Sequence, residues 1–573
     1  MVSVFFQENY MTNDWWKNET AYQIWPKSFM DSNGDGIGDI RGITSKLDYL
    51  KDLGIGILWI SPFYPSPLAD EGYDISDYYG IDPRFGTMED FDELISEASK
   101  RSIHIVIDMV LNHCSDEHPW FRKACEDPDG PYGKYFYIMD REGDRLPSNL
   151  RSYFGGPVWE PLPGHPDKVY LHLFHKKQPD LNWENPELRA EIYKMMNWWL
   201  DKGVSGFRMD AIINIKKVLP FHDYPADRDD GLASVQQMLT EQTGILDFFR
   251  EMKREVFDKH DTFTVSELFN YKPEDLPALI GTDGGCFSSI FDFSTELCGK
   301  SPDGWYHAKP FLTADEYRES VFNSQKAIGE KGFFSNIIEN HDEPRGVSHY
   351  IRQDLWGARS KAAKKALAGT YFLLRGIPFI YQGQEIGMEN ISIPSIAQVD
   401  DVETLNEYRT ALAAGLSEDE ALQAVAPFSR DNVRVPMRWT EAPDCGFTTG
   451  TPWTPLYASP ENNVEDELQD PDSVLNFYKK LIRLRGNEEY WDVLTNGEFL
   501  AYNEGQSNII SYFRWNGICT LLIMANFQPE CQNIELPDEG KHYEVILTNG
   551  APLHIYGNTA TLLGWQFAVV QVR

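Results

Sequence analysis

The sequence predicts an α/β protein: a (β/α)8 barrel with a subdomain inserted after its third strand and a C-terminal antiparallel β domain. Three observations lead to this prediction. Eight short apolar runs alternate with stretches of helical period, about ninety residues separate the third run from the fourth, and the pattern changes to alternating strands after residue 486. A chain of 573 residues is long enough for such a barrel and additional domains.

The eight runs are almost continuously apolar, which is typical of parallel strands buried on both faces. Strands of this kind that alternate with helices close into a barrel. The runs occupy residues 21–26, 56–62, 104–113, 206–212, 262–268, 288–293, 334–342 and 377–383.

The long interval after the third run exceeds an ordinary strand-to-helix connection and predicts an inserted subdomain. Because the segment is rich in Gly, Pro, Trp and Tyr, we expect an irregular, strand-poor excursion over one barrel mouth. We place the first part of the barrel at residues 12–108, the inserted subdomain at 109–177, the second part of the barrel at 178–486 and a C-terminal β-sandwich at 487–573.

Composition narrows the possible partners. The formal charge of -36 repels phosphate backbones and anionic membranes, so we expect neither nucleic acid nor a membrane as a partner. Seven cysteines without a C-x-x-C pair argue against a disulfide framework or a zinc site.

The N-terminus, MVSVFFQENYMTNDWW, lacks the pattern of a signal peptide, and the longest apolar run is interrupted by Arg375 and Pro378. We expect a cytoplasmic protein, either a monomer or a weak homo-oligomer.

Polar residues that end the apolar runs are the candidates for chemistry, because barrel active sites lie at the carboxyl ends of the strands. Several carboxylates at one mouth repel each other, so one holds a proton while another stays ionised. Glycoside hydrolysis needs such an acid and such a base, and no phosphate-binding loop or nucleophile elbow is present. The candidates are Asp108, Asn112, His113, Arg208, Asp210, Glu267, His341 and Asp342.

The segments DMVLNH, GFRMDAI, TVSEL and ENHD resemble the four ordered motifs of the α-amylase clan, glycoside hydrolase family thirteen. The resemblance implies that Asp210 is the nucleophile of a retaining mechanism and that Glu267 is the acid and base. It implies that Asp342 grips the sugar hydroxyls, and no cofactor is expected for catalysis. It further implies that the glucose is held by His113, Arg208 and His341.

The same resemblance implies a closed pocket and therefore exo-action. Asp70 and Arg434 are similar to an ion pair behind the non-reducing end of the sugar, and Tyr73 is similar to an aromatic platform beneath it. Phe174 and Gln178 match positions that line this pocket, although core packing is the alternative role for Phe174.

The segment QPDLN at residues 178–182 resembles the signature of the oligo-1,6-glucosidase subfamily, whereas Ala211 replaces the Val usual in α-1,6-cleaving members. We therefore expect cleavage of terminal α-1,6- and also α-1,4-linked glucose from short oligosaccharides such as isomaltose and maltose. Two alternatives are a sucrose isomerase or transglucosidase of the same fold, and a non-catalytic carbohydrate-binding relative.

The segment DSNGDGIGD offers hard oxygen ligands at alternate positions, which suit Ca²⁺ or Mg²⁺. It is not an EF-hand, because Gly42 stands where a bidentate Glu is required. Family members resembling this chain carry a structural divalent ion here, and the alternative is an ion-free turn. The expected ligands are Asp31, Asn33, Asp35, Ile37 and Asp39.

Overall fold

The computed structural model describes residues 14–141, 143–269, 271–282, 284–296, 298–299, 301, 304–455, 462–537 and 542–573. Its centre is a closed barrel in which every neighbouring pair of strands is parallel and follows chain order. The predicted fold class is therefore confirmed. The barrel strands are Ala21–Ile24, Ile57–Ile60, His104–Val110, Gly206–Asp210, Phe263–Ser266, Ser289–Phe291, Phe334–Asn336 and Ile377–Tyr381.

Successive side chains of each strand point to opposite faces of the barrel wall, and this alternation explains why these runs are largely apolar. In the second strand, Ile57 and Trp59 belong to the cluster inside the barrel, whereas Leu58 and Ile60 pack in the cluster beneath the helices. Both faces are buried, so most residues on either face are apolar, and the polar exceptions such as Asp108 and Arg208 have buried partners. The polar strand ends are consequently gathered at one mouth.

Helices cover the outside of the barrel and connect it to the other parts of the chain. They are Pro26–Phe29, Ile40–Ser45, Leu47–Leu53, Met88–Lys100, Pro119–Glu126, Pro186–Asp201, Val235–Glu241, Ile245–Glu255, Leu276–Ile280, Ala314–Ile328, Gly346–His349, Lys361–Phe372, Val402–Ala413, Glu418–Val425, Asp431–Arg434, Val464–Gln469, Val474–Arg485 and Trp491–Thr495.

The segment between the third and fourth barrel strands is more regular than the sequence predicts. It contains a three-stranded antiparallel sheet of Ile138–Asp140, His165–Leu171 and Trp159–Leu162. The short pair Leu150–Arg151 and Ala233–Ser234 joins it to the chain after the fourth strand. The expectation of a strand-poor segment is wrong, because Trp159, Val169 and Leu171 form a small core that its Gly and Pro content hides.

The C-terminal part is built from two antiparallel sheets that share a core including Leu522, Ile534 and Val570. One sheet contains Glu498–Tyr502, Ile509–Trp515, Thr520–Asn526, Phe567–Val572 and Tyr543–Thr548, and the other contains Gln532–Glu535, Thr559–Leu562 and His554–Tyr556.

Side chains of this C-terminal part reach the end of a barrel helix, Lys361–Phe372. The buried Arg514 donates from Nη1 to the carbonyl oxygen of Leu373 at 2.8 Å, and the Tyr512 hydroxyl donates to that of Thr370 at 2.8 Å. The last carbonyl groups of a helix have no partner within the helix. Here the C-terminal sheet supplies the donors.

None of the helices in the described part of the chain combines the length and the apolar content needed to cross a membrane. The expectation about a signal peptide falls mainly on residues 1–13, which lie outside the described residues.

Candidate active site

One guanidinium group connects the carboxylates at the ends of the third, fourth and fifth barrel strands. Arg208 is 1% exposed, and its Nη1 donates to Asp108 Oδ1 at 2.8 Å and to Asp210. Its Nη2 lies 3.0 Å from Glu267 Oε2, which also accepts from the backbone N–H of Ala211 at 2.8 Å. Because the fourth and fifth strands are neighbours, the two candidate catalytic carboxyl groups face the same small volume.

Burial has the largest influence on the pKa values of Asp210 and Glu267. It raises the pKa of Asp210 well above the usual value, and repulsion from Glu267 adds to the rise, against the attraction of Arg208. Burial also raises the pKa of Glu267. Two buried carboxyl groups that repel each other in this way favour a state in which one of them is protonated. Arg208 opposes the rise at both carboxyl groups, and the backbone N–H of Ala211 also opposes it at Glu267.

A stacked pair of rings connects this centre to the third carboxylate. The Tyr73 ring lies over His341 with centroids 5.4 Å apart and an interplanar angle of 15°, and its hydroxyl lies 3.3 Å from Asp108 Oδ2. Gln23 Nε2 donates to His341 Nδ1 at 2.8 Å, so the proton of the neutral ring is on Nε2, 2.9 Å from Asp342 Oδ2. The same Nε2 also contacts the Tyr73 hydroxyl, so His341 links Tyr73 to Asp342.

The predicted ion pair between Asp70 and Arg434 is wrong. Arg434 Nη2 donates instead to Asp342 Oδ1 at 2.7 Å, and the partner of Asp70 is Arg430, with Nη2 and Oδ1 3.5 Å apart. The two arginines are four residues apart at the short helix Asp431–Arg434 and therefore lie on the same face. Both reach the mouth, and the sequence alone does not distinguish which one meets Asp70.

Arg430 also links the mouth to the chain after the eighth strand. Its Nη2 lies 2.7 Å from Asp401 Oδ1 and its Nη1 lies 3.5 Å from Asp342. Burial acts to raise the pKa of Asp342, but His341, Arg434 and Arg430 outweigh it and hold that pKa well below its usual value. Asp342 is therefore an anion that can accept hydrogen bonds from sugar hydroxyls.

The remaining predicted residues form one wall. Gln178 Nε2 donates to Asp70 Oδ2 at 3.0 Å and lies 3.1 Å from His113 Nε2. Phe174 lies with its centroid 5.0 Å from that of His113 and stacks on Tyr153 at 4.7 Å. Phe174 thus both packs against a neighbour and lines the pocket.

These groups surround a cavity of about 640 Å³, which is large enough for a small oligosaccharide. Arg208, Gln178, His341 and Arg434 lie behind its surface, in contact with lining residues. Eight of the predicted residues line the cavity itself: Asp70, Tyr73, His113, Phe174, Asp210, Ala211, Glu267 and Asp342.

Many of the residues that line the outer part of the cavity were not predicted from the sequence. These residues lie on loops and on short helices after the strands, where no periodicity marks an inward-facing residue. Arg430 stands four residues before the predicted Arg434, in the segment SRDNVRVPMRW. The missed lining residues include Tyr153, Phe154, Asn214, Phe269, Phe293, Glu296, Trp305, Glu403, Phe428 and Arg430.

Two acidic residues after the seventh strand have different environments. Glu339 is 2% exposed, and its Oε1 accepts from Arg345 Nη1 at 2.8 Å, so it stabilises the loop that carries Asp342. Glu343 lines the cavity. Of these two residues, Glu343 is therefore the one that adds acidic charge to the cavity wall.

The loop at residues 31–39 is closed by its own hydrogen bonds. Asp31 Oδ1 accepts from the backbone N–H groups of Asn33 at 2.9 Å and Gly34 at 2.7 Å, and Asp35 Oδ1 accepts from that of Ile37 at 2.9 Å. Asp39 caps the helix Ile40–Ser45. The oxygen donors suit a hard cation, although within the described ranges no group of three His, Cys, Asp or Glu side chains is arranged to hold a metal ion.

Comparison with known proteins agrees with the geometry. An oligo-1,6-glucosidase of Parageobacillus thermoglucosidasius is 41% identical over 545 residues, covering 94% of this chain and 95% of the relative. A glucan 1,6-alpha-glucosidase of Streptococcus pneumoniae is 41% identical over 552 residues, covering 94% of this chain and 96% of the relative. Both likenesses extend over nearly the whole chain.

Solved structures share the architecture. The isomaltulose synthase of Protaminobacter rubrum superimposes with a TM-score of 0.91 at 36% identity, covering 98% of this chain and 99% of the other. The trehalose-6-phosphate hydrolase of Bacillus licheniformis gives a TM-score of 0.89 at 36% identity, covering 97% of this chain and 99% of the other. A family model described as "Alpha amylase, catalytic domain" matches residues 23–497. The chain belongs to the alpha-amylase family of glycoside hydrolases.

Proposed function

We propose that the protein is a retaining, exo-acting α-glucosidase that removes terminal α-1,6- and α-1,4-linked glucose from short oligosaccharides such as isomaltose and maltose. The observation that carries this proposal is the contact of one guanidinium, Arg208, with both Asp210 and Glu267. Such a contact keeps the two carboxyl groups close, and retaining enzymes need a separation of about 5–5.5 Å.

In the proposed mechanism, Asp210 attacks the anomeric carbon while the proton of Glu267 passes to the leaving glycosidic oxygen. Glu267 is then an anion and takes a proton from the water that releases glucose from Asp210. Asp342 accepts hydrogen bonds from the glucose hydroxyls. The ion pair of Asp70 and Arg430 closes the pocket behind the non-reducing end, which supports exo-action.

The names of the relatives support the choice of linkage. Oligo-1,6-glucosidase and glucan 1,6-alpha-glucosidase are the names of relatives about 40% identical to this chain. The small side chain of Ala211 in the cavity leaves room for an α-1,4-linked sugar beside the reacting centre. Mixed linkage specificity follows.

The test combines two variants with an analysis of products. We expect Asp210→Asn and Glu267→Gln to lower turnover of an aryl α-glucoside by at least about 10³-fold, because each removes one half of the acid and nucleophile pair. For the wild type, NMR of the first product from isomaltose should give α-glucose. Near wild-type turnover in either variant, or β-glucose as the first product, would contradict the mechanism.

Isomerisation of sucrose is the second candidate, since isomaltulose synthase has the same architecture. Such an enzyme would return the glucosyl group to fructose before water arrives. Separate incubations with isomaltose, maltose and sucrose distinguish the two, because hydrolysis gives free glucose and isomerisation gives a rearranged disaccharide from sucrose alone.

We also propose that the loop with Asp31, Asn33, Asp35, Ile37 and Asp39 binds a structural Ca²⁺ or Mg²⁺ ion. The alternating oxygen donors support this proposal. A chelator should lower the melting temperature, and added Ca²⁺ or Mg²⁺ should restore it. The variant Asp35→Ser should remove the response. A melting temperature that is insensitive to chelation would leave the ion-free turn as the correct description.

We propose, finally, that the protein acts in the cytoplasm as a monomer or weak homo-oligomer. The excess of acidic residues supports this, because like charge opposes self-association. Sedimentation velocity at several concentrations tests the oligomeric state, and cell fractionation tests the compartment.

A further inference from the structure

A buried ion pair lies behind the wall of the sugar pocket and takes no part in the proposed proton transfers. Lys217 Nζ is 2.7 Å from Asp180 Oδ2, and neither side chain is exposed to solvent. Desolvation makes a buried pair a poor source of stability. The contacts of Lys217 with other groups therefore indicate what it does.

Lys217 fixes the orientation of an amide beside the pocket. Its Nζ donates to Asn112 Oδ1 at 2.8 Å. Because an ammonium group can only donate, the oxygen of this amide faces Lys217 and the nitrogen faces the other way. Asn112 Nδ2 accordingly lies 3.2 Å from His113 Nδ1.

A second amide faces the opposite side of the same ring. Gln178 Oε1 accepts from the backbone N–H of His175 at 2.8 Å, and its Nε2 donates to Asp70 Oδ2 at 3.0 Å. These partners fix its orientation and leave Nε2 at 3.1 Å from His113 Nε2. Each ring nitrogen of His113 thus has an amide nitrogen within hydrogen-bond distance, while a hydrogen bond to the backbone of Tyr73 acts the other way and raises the pKa of the ring.

This arrangement opposes the charged form of the ring. A neutral ring can accept from Asn112 at Nδ1, whereas an imidazolium carries N–H on both nitrogens and its Nδ1–H would meet the Asn112 donor. We propose that Lys217 is a positioning residue that keeps His113 uncharged in the sugar pocket by fixing the Asn112 amide. The inference rests on the proposed function, because a cation at His113 would oppose the positive charge that develops on the glucosyl ring.

The charges around the ring agree with this role. Burial lowers the pKa of His113 to about 4, while Asp180 raises it and Lys217 lowers it. Asp70 faces the ring through Gln178, and Asp210 lines the same cavity. Removing Lys217 would leave Asp180 without its partner and free the Asn112 amide to turn its oxygen toward the ring. Both changes raise the pKa of His113.

The first test is the pH dependence of kcat/KM for an aryl α-glucoside in Lys217→Met. We expect its acid limb to move upward by about one pH unit, which is about tenfold in activity at the acid end of the profile. Lys216→Met is the matched control, since Lys216 pairs with Glu184 at the surface. Its profile should equal that of the wild type. An unshifted profile in Lys217→Met would contradict the proposal.

The second test does not depend on turnover. In protein labelled with ¹⁵N-histidine, the ring signals of His113, assigned by their loss in His113→Gln, should titrate at higher pH in Lys217→Met than in the wild type. If this variant does not fold, the double variant Asp180→Asn/Lys217→Met removes both charges and still frees Asn112. A wild-type titration of His113 in either folded variant overturns the inference, whereas the failure of Asp210→Asn to lose turnover would overturn the proposed function alone.

Discussion

Ala211, which follows the proposed nucleophile, adopts a backbone conformation that its side chain disfavours. Its φ is 43°, in the left-handed region. A residue with a Cβ atom is strained there, and a β-branched residue more so. This conformation aims the backbone N–H of Ala211 at Glu267, which accepts from it. Strain at this position therefore positions a donor for Glu267, the proposed acid and base.

This residue gives a prediction about linkage and stability. Ala211→Val should narrow the cavity and raise the ratio of isomaltose to maltose hydrolysis, and it should lower the free energy of unfolding by about 1 kcal/mol because of its branched Cβ. Initial rates and thermal melts measure the two effects. Ala211→Gly is the control, since Gly relieves the strain without narrowing the cavity. Equal ratios in Ala211→Val and the wild type would contradict the steric explanation.

At the scale of single residues, the sequence predicts best where geometry is fixed by the barrel. Asp210 and Glu267 end apolar strands, so their place at one mouth follows from the fold. Arg430 and Arg434 lie on a short helix after a long loop, and their partners depend on contacts that no local pattern encodes. For this reason the sequence predicts the wrong arginine as the partner of Asp70.

Asp431, in the short helix Asp431–Arg434, lies close to charges of both signs. The two arginines are cations and Asp401 is an anion. Burial raises the pKa of Asp431 to about 6, and repulsion from Asp401 adds to the rise. The fold therefore favours protonated Asp431. Its contribution to stability is complete below the unfolded pKa near 3.9 and is lost as pH rises through 6.

Replacing this carboxylate should flatten the dependence of stability on pH. We expect Asp431→Asn to raise the free energy of unfolding at pH 7 by about 1–2 kcal/mol and to leave it nearly unchanged at pH 4, because Asn resembles the protonated acid. Denaturant titrations at both pH values measure this. Asp419→Asn, at an exposed position of the helix Glu418–Val425, should have no such effect. An equal change at both pH values would argue against a titrating Asp431.

Among the elements, the parallel strands were predictable and the inserted sheet was not. A barrel strand buried on both faces gives a continuous apolar run. The strand His165–Leu171 is partly exposed over its first half and begins in a Gly- and Pro-rich segment, so its sequence resembles a loop. Its pairing comes from contacts with Trp159–Leu162 across a turn rather than from its own pattern.

The molecule as a whole carries far more acidic than basic groups, 88 against 52. Repulsion among them opposes the compact state, and salt screens it with a Debye length of about 10 Å at 0.1 M. We expect the melting temperature to rise by a few degrees between about 0.01 M and 0.5 M sodium chloride. Glycine betaine, which is not a sugar and has no net charge, is the control at matched osmolality for effects unrelated to charge. A melting temperature that falls with salt would mean that the surface ion pairs contribute more than the net repulsion.

Arg514 and Tyr512 donate hydrogen bonds to the end of the helix Lys361–Phe372. These bonds limit where the chain can be truncated without loss of folding. Deleting everything after residue 486 would leave carbonyl groups of a barrel helix uncovered, next to the strand Ile377–Tyr381 that closes the barrel. The C-terminal sheets are thus not an appended module that engineering could remove or exchange. They act as the outer lining of the barrel, and the smallest unit that we expect to fold includes them.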